Sequence, residues 1–386
     1  MTARVAIIHD WLTGMRGGER ILEAVCARYP EADLFTLLHL PGQVSANIEQ
    51  HRITTSFAQR LPGLTSFYRH YLPLFPRAIE SFDLRRYQLV ISLSHCVAHG
   101  VLVPPEAVHV CYSFTPMRYI WDQYSAYFSQ NSNPLIRLAA SLQAPRLRVW
   151  DQLAAQRVDA YATSSRFVAR RIHRYYHRQA RVIPPGIDLT KYTPHPTGEN
   201  GGYYLIVSAL SPYKKLDLAI KACVRTGRKL VIIGWGPEQR RLRKMSGPTV
   251  TFLGRVPDET VIDYYRRCIA LLFPGEEDFG LTPLEVQACG RPVVAFAAGG
   301  CLETVIPGQT GILFAEQTED ALIAAMDLAE RTAFDSGRIR EQARLFDING
   351  FTHAFQQFID QATMSNERTG RMNASADTWR SASETA

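Results

Sequence analysis

The chain has 386 residues, 46% of them hydrophobic and 20% charged, with a formal net charge of +7. Single domains of about 100–200 residues are usual, so two globular domains are expected, and the apolar share excludes a wholly disordered chain. No apolar run reaches the roughly 18 residues of a spanning helix, His9 and Asp10 end the first apolar run too early for a secretory signal, and seven scattered cysteines without a C-x-x-C pair exclude a disulfide framework or zinc ribbon; buried free thiols in a reducing cytoplasm are expected instead.

The chain then alternates between two kinds of segment. Residues 4–8 predict a buried strand, followed by a Gly-rich turn and a helix over about 18–29. Residues 34–38, 89–93, 108–112 and 160–163 are further short apolar runs, each followed by turn or helix signals, and 182–188 closes this half. Strands alternating with helices imply parallel sheets, because parallel strands need crossovers. The segment 192–202 is rich in Pro, Gly and polar residues and reads as an interdomain linker. A second alternation follows, with strands at 203–208, 229–233, 250–253, 270–273 and 292–296 and helices at about 215–226, 258–268 and 282–289. Helical patterning resumes over 319–330 and 336–361, and from Ser365 the chain has little to bury and reads as a disordered tail over 365–386. The expected architecture is α/β: two Rossmann-like, doubly wound domains, 1–195 and 202–335, facing a cleft, with ligands beyond the carboxyl ends of the strands and a C-terminal helix over 336–362.

The charge is uneven. Residues 135–181 hold 10 Arg against only Asp151 and Asp159, while the segments on either side nearly balance. Such a stretch attracts polyanions or is simply a solvated face. No zinc-finger spacing or RNA-binding aromatic motif accompanies it, so nucleic acid is not the expected partner. The stretch Phe57–Arg77 mixes Phe67, Tyr68, Tyr71 and Phe75 with Arg69 and Arg77, which suits either a membrane-surface segment or a core-facing one.

Four motifs carry candidate chemistry. Gly14, Gly17 and Gly18 lie between a strand and a helix start, where backbone N–H groups approach a phosphate or merely form a tight turn. Lys214 and Lys215 follow a strand of the second half and either neutralise a diphosphate or sit in solvent. Glu277 and Glu285 flank Phe279-Gly280-Leu281-Thr282; a helix starting near Thr282 places Glu285 in its first turn, where a capping role competes with a hydroxyl-binding one. Arg118, Tyr119 and Trp121 follow another strand and offer a phosphate partner and flat faces for a sugar, or form a core loop. The histidines show no metal-ligand spacing, and no metal is assigned.

Together these residues resemble the retaining GT-B glycosyltransferases of family 4. The likeness rests on Glu277-Asp-Phe-Gly-Leu-Thr-Pro-Leu-Glu285 followed by Ala288-x-Gly290-x-Pro-Val-Val294, with Pro185-Gly-Ile-Asp188, Ile233-Gly-Trp-Gly-Pro237, Phe252-Leu-Gly254, Gly299-Gly-x-x-Glu303 and Gly308-x-x-Gly311 in order, over roughly residues 1–360. Asp10-Trp-Leu, Gly17-Gly-Glu-Arg20 and Thr115-Pro-Met-Arg-Tyr-x-Trp-Asp122 resemble bacterial mannosyltransferases of O-antigen, capsule or exopolysaccharide synthesis.

The resemblance implies roles residue by residue. Glu277 and Lys214 would act on the donor sugar and diphosphate, and Glu285 would hold the ribose. Gly280, Leu281 and Thr282 would line the phosphates, Arg255 and Val256 would contact the base, and Gly17 and Gly18 would approach donor or acceptor. Lys215 would add charge, because the family's Arg five residues before the lysine is here Ala209. Arg118, Tyr119 and Trp121 would stand on the acceptor side, where the family's His before Thr-Pro is here Phe114. The implied reaction moves a hexose, mannose from GDP-mannose or a sugar from another nucleotide-sugar, onto a lipid-diphosphate-linked saccharide without a metal. The C-terminal helix would cross back to the first domain. The enzyme would be cytoplasmic and peripheral to the anionic inner membrane leaflet, held there by the basic 137–181 and aromatic 57–77 stretches.

Overall fold

The structure, a computed structural model, describes residues 4–63, 68–122, 124 and 134–383. The chain divides into two compact units, one of residues 1–164, 168–183 and 352–386, the other of residues 165–167 and 184–351.

The first unit carries a parallel sheet of seven strands: β1 (Val5–His9), β2 (Asp33–Thr36), β3 (Ile53–Thr55), β4 (Leu89–Ser94), β5 (Val108–Ser113), β6 (Ala160–Thr163) and β7 (Ala180–Val182), in the order β3-β2-β1-β4-β5-β6-β7. Its strands are nearly continuous apolar runs because helices cover both faces of such a sheet. Ala6, Ile7 and Ile8 are wholly buried, and Ile7 lies in register between Leu34 and Ile91. Each fully buried side chain of that size contributes about 1.5–3 kcal/mol. Helices α1 (Gly17–Arg28), α2 (Ala46–Glu49), α3 (Phe75–Glu80), α4 (Pro134–Gln156) and α5 (Arg166–Tyr176) occur along this half of the chain.

The second unit carries a parallel sheet of six strands: β8 (Tyr204–Val207), β9 (Leu230–Ile233), β10 (Val250–Gly254), β11 (Leu271–Phe273), β12 (Val293–Phe296) and β13 (Gly311–Phe314), in the order β10-β9-β8-β11-β12-β13. Its helices are α6 (Leu216–Thr226), α7 (Gln239–Met245), α8 (Asp258–Arg267), α9 (Leu281–Ala288), α10 (Cys301–Thr304), α11 (Glu319–Arg331) and α12 (Ser336–Arg344). Helix α6 shows why the sequence folds so: Leu216, Ala219, Ile220 and Cys223 fall on one face at helical spacing and are buried, and Gly227 ends the helix at φ +70°.

Three features differ from the sequence reading. The expected linker, 192–202, is not free, and with 184–191 before it forms one stretch of the second unit. Ile187 N–H donates to Phe346 O (2.9 Å), Ile348 N–H to Ile187 O (3.0 Å) and Gly201 N–H to Arg267 O (2.8 Å), so its glycines serve close backbone approach within the second unit and the division falls at residue 183. The helical stretch 336–361 is two helices, broken at 345–347 where the chain bonds to Ile187. The second of them, α13 (Ile348–Ser383), runs through Ser365 to Ser383. The expected tail rested on a lack of apolar residues, but the stretch has no Pro and only Gly370 to stop a helix already formed; residues 384–386 lie outside those described. From Thr352 onward this helix belongs to the first unit, where Tyr29 Oη donates to Gln356 Oε1 (2.8 Å) and Phe355 packs edge-on against Tyr112.

Candidate active site

In an open parallel sheet the crevice lies where strand order reverses, beyond the carboxyl ends of the two central strands. In the second unit that point falls between β8 and β11. The chain leaving β8 makes a short turn at Pro212–Lys214 and then places Lys215 at φ +53°, a left-handed conformation that costs a non-glycine residue about 1–2 kcal/mol. The chain leaving β11 delivers Glu277. The two meet: Lys214 Nζ forms an ion pair with Glu277 Oε1, the side chains being 13% and 19% exposed. The same ammonium lies 5.1 Å from the centroid of the Tyr213 ring.

Glycines permit this approach. A Cβ on Gly275 would sit 2.8 Å from the Lys214 Cα, and one on Gly299, at φ +71°, would overlap the Glu277 carbonyl. Gly300 N–H instead donates to Glu277 O (2.8 Å). Loops after β8, β11 and β12 are thus packed backbone to backbone around the pair, in a small depression also lined by Ser208 and Phe273.

Three residues beyond Glu277, Gly280 opens α9 at φ +86°. The N–H groups of Gly280, Leu281 and Thr282 stand at a helix start that has no acidic side chain in its first turn, an arrangement suited to an anion. Glu285 is not in that first turn, so the capping alternative falls. Its carboxylate is buried and accepts from Tyr192 Oη (3.0 Å) and Tyr265 Oη (2.7 Å). Lys215 is exposed. Arg255 lies with its guanidinium 4.3 Å from the centroid of the Trp235 ring, and Trp235 is 49% exposed; Val256 beside them is half-buried. Trp235 was quoted only as part of a glycine motif, and its role as an open aromatic face was missed.

In the first unit the reversal falls between β1 and β4. Gly17 is exposed and Gly18 half-buried at the start of α1. A Cβ on Gly18 would meet the Phe114 ring at 3.6 Å and His9 Cε1 at 3.8 Å. His9, at the end of β1, is wholly buried with Nε2 3.8 Å from Glu19 Oε1. Burial pushes the Glu19 carboxyl up, but the hydrogen bond and charge of His9, with His95 and Arg16 nearby, hold it below its ordinary value. Asp10, which ends the first apolar run and opens the Asp10-Trp-Leu string, and His95, which no spacing singles out, are the other groups at this reversal. Strand ends at a switch point could have singled them out.

The acceptor-side candidates separate. Arg118 and Tyr119 are half-buried, and Tyr119 packs on the first unit's core. Trp121 offers no open sugar platform: its ring stacks on Tyr175 (4.7 Å, 14°), the Arg148 guanidinium lies 5.8 Å from its centroid, and Nε1–H donates to buried Asp151 (2.7 Å). The 57–77 stretch divides, with Phe57 and Leu74 40% and 41% exposed. Tyr68 and Phe75 are buried beside Trp11, since a core-facing turn needs the same aromatics that a membrane would; Phe67 lies outside the described residues.

The basic stretch is thinned by internal contacts. Arg171 pairs with Asp122, Arg157 with Glu80, and Arg148 and Arg178 bond backbone carbonyls, whereas Arg146, Arg166, Arg170, Arg174 and Arg181 are exposed. On α4, Leu138, Leu142, Val149 and Leu153 are 58–63% exposed at spacings that share one face.

All seven cysteines are free and buried, and burial pushes Cys26, Cys111, Cys223 and Cys289 up to about 12, so they are inert thiols. Among the described residues no group of three or more His, Cys, Asp or Glu is placed to hold a metal ion, and no helix is long and apolar enough to cross a membrane.

Comparison with known proteins gives the site its context. Residues 192–346, within the second unit, match the family model described as glycosyl transferases group 1. A D-inositol 3-phosphate glycosyltransferase of Acidothermus cellulolyticus is 32% identical over 163 residues, 34% of this chain and 36% of that protein. A GDP-mannose-dependent alpha-(1-6)-phosphatidylinositol monomannoside mannosyltransferase of Mycolicibacterium smegmatis is 29% identical over 172 residues, 37% of this chain and 45% of that protein. The matches therefore span less than half of these two relatives' length. The structure of sucrose-phosphate synthase from Thermosynechococcus elongatus superposes with a TM-score of 0.71 at 19% identity, covering 94% of this chain and 100% of that one. The fold of the chain, two parallel α/β units, is the GT-B fold.

Proposed function

We propose that this chain is a retaining glycosyltransferase that moves a hexose from a nucleotide-sugar to a saccharide hydroxyl. The Lys214–Glu277 pair at the second unit's switch point, beside the start of α9, carries the reading. A diphosphate placed there meets one cationic side chain and a set of helix-start N–H groups, and those offset the charge that grows on the leaving group. Glu277 would then exchange its ion pair for the donor sugar's hydroxyls. Arg255 and the open face of Trp235 suit a nucleobase. Glu285, held by two tyrosines, would accept ribose hydroxyls only on the lone pairs those phenols leave.

In the reaction the bond from the anomeric carbon to the phosphate oxygen breaks, and the acceptor oxygen bonds to the same face of that carbon. The acceptor proton passes to the departing phosphate oxygen, so configuration is retained without a protein base. The chain's own contribution is positioning and charge stabilisation.

The donor in this reading is GDP-mannose and the acceptor a lipid-diphosphate-linked saccharide. Likeness to the mannosyltransferase named above and the sequence resemblance support the first. For the second, the exposed apolar face of α4 and the exposed arginines around it suit a protein lying on an anionic leaflet. The test is anomeric NMR of GDP-mannose consumed by the purified chain with polyprenyl-diphosphate-linked saccharides in anionic vesicles. An α-mannosyl product supports the reading. A β product, or survival of every nucleotide-sugar tried, overturns it.

A further inference from the structure

The first unit's switch point holds a polar pair that the donor chemistry does not use. Asp10 follows β1 and is wholly buried. Its Oδ2 accepts the backbone N–H groups of His95 (2.7 Å) and Cys96 (3.0 Å), and its Oδ1 accepts those of Val97 (2.7 Å) and Ala98 (2.8 Å). The carboxylate thereby pins the turn after β4. It also lies 3.0 Å from His95 Nδ1. A carboxylate oxygen at that distance repels a lone pair and favours a proton on Nδ1, which leaves Nε2 of the neutral ring as the acceptor. The Trp11 ring meets the imidazole edge-on at 4.4 Å and fixes its plane.

The imidazole is the part of the pair that reaches solvent: the His95 side chain is 25% exposed, that of Asp10 0%. Among the described residues His95 Nε2 has no hydrogen-bond partner. Burial pulls His95 down to about 4 against the opposing pull of Asp10, so the ring is neutral near pH 7. Around it stand His9 (5.8 Å between centroids) and Phe114 (6.4 Å).

These facts select the ligand. A bare imidazole nitrogen takes a donor. A phosphate or carboxylate brings none and would face Asp10 and Glu19, two carboxylates to the one charge of Arg16. A hydroxyl on a neutral ring brings both a donor and C–H faces for the neighbouring aromatic edges. We propose that Asp10 and His95 form a sugar-hydroxyl site, with His95 Nε2 accepting the hydroxyl's hydrogen bond and Asp10 positioning the ring. If the chain is the glycosyltransferase proposed above, that hydroxyl belongs to the acceptor, and this assignment rests on that reading.

The test is nitrogen-15 NMR of the histidine rings in the full chain at pH 7, titrated with methyl α-D-mannopyranoside and methyl α-D-glucopyranoside, with GDP affinity measured on the same samples. Expected are a proton on Nδ1 of His95, a bare Nε2, and an Nε2 shift on adding at least one glycoside. Asp10→Asn should release the tautomer and lose the glycoside shift with GDP affinity unchanged. Because that substitution removes an anchor of the 95–98 turn, His95→Gln and His95→Phe are compared as well: Gln keeps an acceptor and retains glycoside binding within a few fold, whereas Phe loses it by tenfold or more. A proton on Nε2, no response to either glycoside, or equal binding by Gln and Phe variants overturns the proposal. Glycoside response without GDP binding would leave this site standing and overturn the nucleotide-sugar reading instead.

Discussion

The two units solve one topological problem with different chemistry. Each sheet reverses between its two central strands, and each places polar groups at that reversal. In the second unit the groups are a lysine and a glutamate from different loops, brought together by glycines and backed by a helix start. In the first unit they are carboxylates and imidazoles: Asp10 tied down by four backbone N–H groups with His95 against it, and Glu19 beside His9. On the proposed reading the second reversal meets an anion and the first meets neutral hydroxyls. A two-substrate transfer needs that division of labour, and the shared fold does not by itself supply it.

The largest expected effect falls on the second reversal. Lys214→Ala removes the ammonium at the diphosphate position and should lower turnover by about 10²–10³-fold, in line with the loss of one charge-stabilising donor, with circular dichroism unchanged. Glu277→Gln should cut turnover on the same scale. Normal turnover in either would erase the contrast between the units.

Next come the glycines. Gly299→Ala puts a Cβ against the Glu277 carbonyl at φ +71° and should destabilise the second unit by about 1–3 kcal/mol in urea titration. Gly18→Ala, whose neighbours lie at 3.6–3.8 Å, is in ordinary contact and inside a helix, so it should change stability by no more than about 1 kcal/mol. Equal costs would show that close backbone approach is not special to the donor side.

Acid should separate the units. Burial pulls His95 down to about 4 and His109 to about 3. A histidine whose folded value lies below its unfolded one, near 6.5, takes up protons on unfolding, so stability falls as pH drops from about 6.5 toward those values. Between pH 7 and pH 5 the first unit should lose on the order of 1–2 kcal/mol per histidine, before the lowered Glu19 adds to the loss below 4.5. Urea unfolding read by proteolysis of each unit should show the first unit's midpoint moving and the second's nearly fixed.

The smallest effect is at the surface. Leu142→Glu, on the exposed face of α4, should weaken binding to phosphatidylglycerol vesicles about tenfold and change stability by less than about 0.5 kcal/mol. Unchanged sedimentation with vesicles would remove α4 from the membrane account.

The second unit was legible because its chemistry is local. Strand, turn and helix signals around Lys214 and from Glu277 to Glu285 lie within a few residues of one another, and their glycines mark the close approaches that the structure shows. The first unit was less so. Asp10 and His95 are far apart in sequence, and only strand order makes them neighbours. Trp121 looked like a sugar platform because a stacked aromatic and an open one have the same sequence signature; Tyr175 and Asp151 decide between them. Pro and Gly at 192–202 signalled a linker, but the same residues serve where two backbones touch, as at Gly201 and Arg267. The buried tyrosine clamp on Glu285 came from residues 93 and 20 positions away, beyond any local pattern.

The most direct test of the central claim is calorimetry of GDP, UDP and ADP with the wild-type chain and Lys214→Ala, with and without magnesium. The wild-type chain should bind GDP in preference to the other two, without need of magnesium, and Lys214→Ala should weaken this at least tenfold. Binding of none of the three, or equal binding by Lys214→Ala, would contradict it.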